Sequence, residues 1–200
     1  MRTESLTANY VHKTPKTSRA TIKQPPAMDI HDYLLDHADC NWEALLTAWA
    51  TLLPETFTVW LVNRFGDLFI VHDDGAVFML DCNIGTYERL ANSRQEFADL
   101  LNVDANARQW LMIPLVDRCV AAGLALHPGS CYFFKVPATM GGAYDPSNIA
   151  SIPMSEFYPY LGSLHHQTEH VPDGTRIRLR VVTNPPHTDD SARPNPSIPT

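Results

Sequence analysis

Apolar residues at 42, 45, 46, 49, 52 and 53 fall on one helical face behind Asn41, which reads as an N-cap, and Pro54 stops that helix. A shorter helix is expected before it, over Asp29 to Leu35. From Thr56 to Val62 the pattern changes to β-branched and aromatic residues. Two further apolar runs, Asp67 to His72 and Ala76 to Leu80, flank Asp73-Asp74-Gly75, a hairpin signal because the turn needs residues that tolerate positive φ. A meander of three antiparallel strands follows. Ser93-Arg-Gln-Glu96 has the spacing of a capping box and opens a helix to about Leu101, and Asp104 caps a longer one from Ala105 to about Leu126. Cys131 to Val136 reads as a strand, Pro137 to Asn148 as a Gly/Pro-punctuated loop and Ile149 to Ile152 as an extended run. A helix over Ser155 to Thr168, a Pro172-Asp173-Gly174 turn and a strand over Thr175 to Val182 close the pattern. This order predicts an α+β fold: a mainly antiparallel sheet with helices packed on one face.

The two ends carry no such periodicity. Residues 1–27 are Thr/Ser-rich and basic, and residues 183–200 hold five prolines, so both are expected to be disordered around a single domain over 28–182. Two hundred residues with 44% hydrophobic content can bury one good core. No apolar run reaches the roughly 18 residues of a membrane span, and residues 1–27 hold no apolar h-region of the kind a secretion signal needs, so no membrane partner is expected. The four cysteines, at 40, 82, 119 and 131, are widely spaced, which suits buried or free thiols in a reducing compartment, so a cytoplasmic location is expected.

Charge narrows the partners. Between residues 28 and 117 there are fifteen acidic and only four basic side chains. Such a body repels phosphate backbones and steers basic proteins toward itself, so direct nucleic-acid binding is not expected.

Candidate chemistry is sparse. The stretch SLHHQTEHVPDG places His166 and His170 at i, i+4 with Glu169 beside them, an incomplete zinc motif that would make a metal-dependent hydrolase. It lacks a third ligand, the turn at 172–174 crowds His170, and histidines also suit a helix C-terminus without metal. Gly141-Gly142 could cradle an anion of a small ligand, which would suit a cytoplasmic regulatory module. The stretch has no P-loop lysine, and the chain has no G-x-G-x-x-G or G-x-S-x-G, so no cofactor and no nucleophile are expected.

Several pieces stand in an order that resembles a known family. They are Gly66-Asp67-Leu-Phe, Val77-Phe-Met-Leu-Asp81, Phe134-Lys135-Val-Pro137, Gly141-Gly142, Asn148-Ile149, Leu161-Gly162-Ser-Leu-His165 and Pro172-Asp173-Gly174-Thr. The series, running from about Thr56 to Val182, is similar to the C-terminal domain of type VI secretion DNase-immunity proteins. The resemblance implies a bacterial cytoplasmic immunity protein, not an enzyme, that occludes a cognate toxin; a monomer or small homo-oligomer is expected. Gly141, Gly142, His165, Asp173 and Gly174 are then structural, with a His165 hydrogen bond tying helix to sheet. The partner-binding candidates, chosen for charge and aromatic character, are Asp73, Asp74, Tyr144 and Asp145.

Overall fold

The computed structural model describes residues 29–172, 174 and 175. Four antiparallel strands, β1 (Thr58–Val62), β2 (Leu68–Val71), β3 (Val77–Asp81) and β4 (Thr86–Ala91), pair in sequence order, and β5 (Ser130–Phe134) pairs with β6 (Ile149–Pro153) in a separate ribbon. The helices are α1 (Trp42–Leu45), α2 (Arg94–Leu101), α3 (Asp104–Trp110), α4 (Ile113–Ala121) and α5 (Met154–Thr168). The fold is α+β with antiparallel pairing throughout.

The helical cover differs from expectation: it extends to both faces of the four-stranded sheet. Successive residues of a strand point to opposite faces, and all four of β2 are buried. Phe69 and Val71 pack with Phe97 of α2, Leu111, and Val116 of α4. Leu68 and Ile70 pack on the other side with Trp49 and with Phe157, Tyr158 and Leu161 of α5. Hydrogen bonds fasten this second layer, because Trp49 Nε1 donates to Tyr158 O at 2.9 Å and Tyr158 Oη donates to Gly66 O at 3.0 Å.

Local signals hold where the chain is locally determined. Asn41 Oδ1 accepts from Ala44 N, and Ser93 Oγ from Glu96 N, while Glu96 Oε2 reaches back to Asn92 N. Three expectations are corrected. The helix behind Asn41 ends as α1 at Leu45 and continues as a 3-10 turn over Thr47–Trp49. There the Thr47 hydroxyl donates back to the carbonyls of Glu43 and Ala44 at 3.1 Å, a local competitor to helix continuation. The long helix after Asp104 is two helices, parted at Met112, whose φ of 50° is left-handed, with Pro114 starting the second helix where its missing N–H is not needed. The meander has a fourth strand, β4, whose charged Glu88 and Arg89 suit its place at the sheet edge. Asp173 and the body of the expected closing strand, from 176 onward, lie outside the described residues.

Candidate functional site

The two acidic candidates from the hairpin stand where they were expected. Asp73 and Asp74 are exposed at the β2–β3 turn, Asp73 Oδ2 accepting from Thr56 Oγ1 at 2.9 Å and Asp74 Oδ1 from Ala76 N at 2.9 Å. Tyr144 and Asp145 lie at the other end of β3, about five residues at 3.3 Å apart along the strand. The fold therefore does not bring the four residues into one cluster. Asp145 is held in place by Ser147, whose N and Oγ donate to Oδ1 at 3.0 and 2.7 Å, and by Arg118 at 3.7 Å. These partners hold its carboxyl below the usual range, with the Ser147 hydroxyl contributing most. Arg118 also donates to the Tyr144 carbonyl, which ties the loop to α4.

Around Tyr144 the structure builds something that the sequence did not disclose. A cleft of about 290 Å³ opens between the β3–β4 face, the break between α3 and α4, and the Tyr144 loop. Asp67, Asp81 and Glu88 give it carboxylates, and Trp110, Met112 and Tyr144 give it apolar walls. At its rim Ile84 and Tyr144 are about half exposed. Asp67 is buried and accepts from Asn63 Nδ2 at 2.8 Å, Cys82 N at 3.0 Å and Asn83 Nδ2 at 3.1 Å. Burial, and then the charge of Asp81, still push its carboxyl well above the ordinary range, and burial also raises Asp81. The Tyr144 phenol is raised by burial and then by Asp81 and Asp67, so it stands in the negative potential of the cleft. Asp67 and Asp81 were visible in the sequence only as members of the family-like series. Glu88 carried no signal, because β4 itself was missed.

The Gly141-Gly142 loop does not present a cradle. Gly141 N donates to Ala138 O and Gly142 N to Pro137 O, both at 3.0 Å, so these amides are already engaged. A Cβ on Gly142 would overlap the carbonyl oxygen of Val136. Asn148 closes the loop, accepting from Val136 N and donating to the carbonyls of Val136 and Ala143, each at 3.0 Å. Each glycine thus has its own physical reason: close backbone approach at Gly142, and a left-handed φ of 84° at Gly141, around which there is open space.

The histidine cluster converges on a carboxylate. His166 Nδ1 and His170 Nε2 stand 3.3 and 3.5 Å from Glu169 Oε1, and His165 Nε2 3.6 Å from Oε2. Among the described residues no group of three or more His, Cys, Asp or Glu side chains is arranged to hold a metal ion. His165 differs from expectation: Nε2 is buried with no hydrogen-bond partner among those residues. It fixes helix to sheet by packing, its ring stacked on Trp49 at 5.6 Å and 14° and its Nδ1 lying where a Cβ on Gly85 would stand. Gly174, with φ of 79°, occupies the turn after α5.

Comparison with known proteins gives one family. A family model described as T6SS immunity protein Tdi1, C-terminal, matches residues 91–165, and it is the family that the sequence resembles. Inside the match lie the Phe134 to Pro137, Gly141-Gly142, Asn148-Ile149 and Leu161 to His165 pieces, while Gly66-Asp67, Val77 to Asp81 and the turn at 172–174 lie outside it. A comparison with curated proteins gives no match. Among the described residues no helix is long and apolar enough to cross a membrane.

Proposed function

We propose that the chain is an immunity protein that binds a cognate type VI secretion toxin, a nuclease, and neutralises it by stoichiometric occlusion in the cytoplasm, without catalysis of its own. The observation that carries this reading is the match of residues 91–165 to an immunity-protein family. The matched segment also supplies Trp110, Met112 and Tyr144, three walls of the acidic cleft. Nucleases hold phosphate with basic side chains, and a cleft presenting Asp81 and Glu88 beside aromatic surface offers carboxylates in place of phosphates. Asp73 and Asp74, at the far end of β3, add to the field that steers the encounter rather than to the cleft itself.

The test pairs the purified chain with the toxin encoded beside it. The expected result is loss of toxin activity that is complete at one equivalent of chain, with a complex of matching stoichiometry by calorimetry. Full toxin activity in the presence of several equivalents, with no heat of binding, overturns the assignment. Glu88→Lys and Tyr144→Ala weaken the complex if the cleft is the contact; unchanged affinity in both, with inhibition intact, moves the contact elsewhere and leaves the function standing.

A further inference from the structure

The geometry points to a second site, for a small amphipathic anion, in the cleft between the segment Leu34–Asn41 and the turn Leu126–Ser130. Its volume is about 580 Å³, within the roughly 300–1,000 Å³ of small-molecule sites. Both walls are fastened to the body rather than collapsed on each other. Leu35 N donates to Val62 O at 2.8 Å and His37 Nε2 meets Trp60 O at 3.3 Å on one side, while Met154 N donates to Gly129 O at 2.8 Å on the other. Leu34, Leu45, Leu126 and Met154 make the lining largely apolar.

One basic side chain of the acidic stretch borders this space. Of the four arginines in the acidic stretch 28–117, Arg108 pairs with Asp104, Arg94 lies over the Trp60 ring and Arg89 over Phe78. Arg64 alone of them lines the cleft, half-buried; its side chain reaches Tyr132, which leaves further guanidinium donors, and among the described residues no carboxylate lies within ion-pair distance of it. Its backbone is pinned on both sides, Arg64 N donating to Tyr33 O at 3.1 Å and Arg64 O accepting from Tyr132 N at 2.7 Å. Asp36 and Asp39 also border the cleft, but both are exposed at its rim, and Asp36 Oδ1 is occupied by Ala38 N at 3.2 Å. A buried-side guanidinium without a carboxylate, under apolar walls, selects a ligand with an anionic head and an apolar body, because the fork of donors is satisfied by a carboxylate, sulfonate or phosphate.

The probes are 8-anilinonaphthalene-1-sulfonate, anionic, and N-phenyl-1-naphthylamine, its uncharged counterpart, followed by fluorescence on the full chain. Saturable binding of the sulfonate is expected, weakened about tenfold by Arg64→Gln and less by Arg64→Lys, which keeps the charge but not the fork, with the uncharged probe indifferent to both. Ala44→Trp, at an exposed position on the cleft wall, should abolish binding of both probes while leaving the urea midpoint unchanged. Absence of saturation, or equal sulfonate affinity in wild type and Arg64→Gln, overturns the proposal. Toxin inhibition by these variants should stay intact, so failure here is distinct from failure of the immunity reading.

Discussion

Replacing Asp67 by asparagine removes a titrating group from the base of the acidic cleft while keeping its size. Asp67 is buried to 1% exposure and takes three N–H donors, from Asn63, Cys82 and Asn83. Those donors favour the carboxylate, whereas burial and the neighbouring Asp81 favour the neutral acid, and the balance is a raised pKa. The sign of the linkage follows. With a folded pKa above the unfolded one, the folded protein holds a proton that the unfolded chain has already lost. The stabilisation is then fully present below the ordinary carboxylate range and fades as pH rises through the folded value.

The quantity to measure is the stability of wild type minus that of Asp67→Asn, from urea unfolding followed by tryptophan fluorescence between pH 4 and 8. Subtraction cancels the carboxylates remote from Asp67 and leaves the titration of Asp67 with its coupled neighbour Asp81. The difference should fall with rising pH at a limiting slope a little above about 1 kcal/mol per pH unit, the worth of one whole proton, and then level off. A separate pH-independent loss of about 1 kcal/mol is expected, because the new amide nitrogen replaces an acceptor and one of the three hydrogen bonds is lost. A difference that is flat or rises with pH would refute the reasoning: the carboxylate would then be ionised in the fold, its three donors outweighing burial.

Further expectations follow from close approaches and from charge. Gly142→Ala should cost about 2 kcal/mol or more in urea unfolding, since the Cβ meets backbone that cannot turn aside; a loss under about 0.5 kcal/mol would count against the overlap with Val136 O. Gly85→Ala should exceed Gly75→Ala by about 1–2 kcal/mol, because both carry φ above 80° but only Gly85 has a ring, that of His165, in the way. Asp73→Lys with Asp74→Lys should slow toxin association about tenfold at low salt and little at high salt; an unchanged low-salt rate removes the hairpin from the steering field. His166→Ala with His170→Ala, at side chains 69% and 92% exposed, should shift stability by under about 0.5 kcal/mol, and purified protein should carry under about a tenth of an equivalent of metal. Stoichiometric metal, with stability lost on chelation, would revive the hydrolase reading.

The elements that were legible in sequence are those set by neighbours a few residues away. Asn41 and Ser93 cap because their side chains reach amides three residues on, and the Asp73-Asp74-Gly75 turn needs only its own backbone. Apolar periodicity runs across the break at Met112, and Pro114 is the local sign of it in the sequence. What holds the break is a distant residue, Asn63, whose Nδ2 donates to the Trp110 carbonyl at 2.9 Å. Edge strand β4 was hidden by its charges, and with it Glu88. The cleft joins residues as far apart as Asp67 and Tyr144, and no local pattern encodes that meeting.

An inhibitor's contact residues carry no chemistry that would fix their spacing, so the recurring motif of such a chain marks the scaffold instead. Here that scaffold is concrete. Gly142 sits beneath the Val136 carbonyl, Asn148 ties that carbonyl to Ala143, and Arg118 holds the Tyr144 carbonyl to α4. Tyr144 and Asp145 stand between these fastenings, on a stretch of the loop, 143–147, that the motif leaves unspecified. Asn148→Ala should therefore act on the toxin complex at a distance: it removes three hydrogen bonds that close the loop and leaves Tyr144 and Asp145 in place chemically. Affinity should fall because Tyr144 no longer has a fixed position against Phe134, whose ring it meets edge-on at 5.1 Å. Equal affinity for wild type and Asn148→Ala would mean that the loop is only scaffold and that the toxin reads the cleft from its β3–β4 wall.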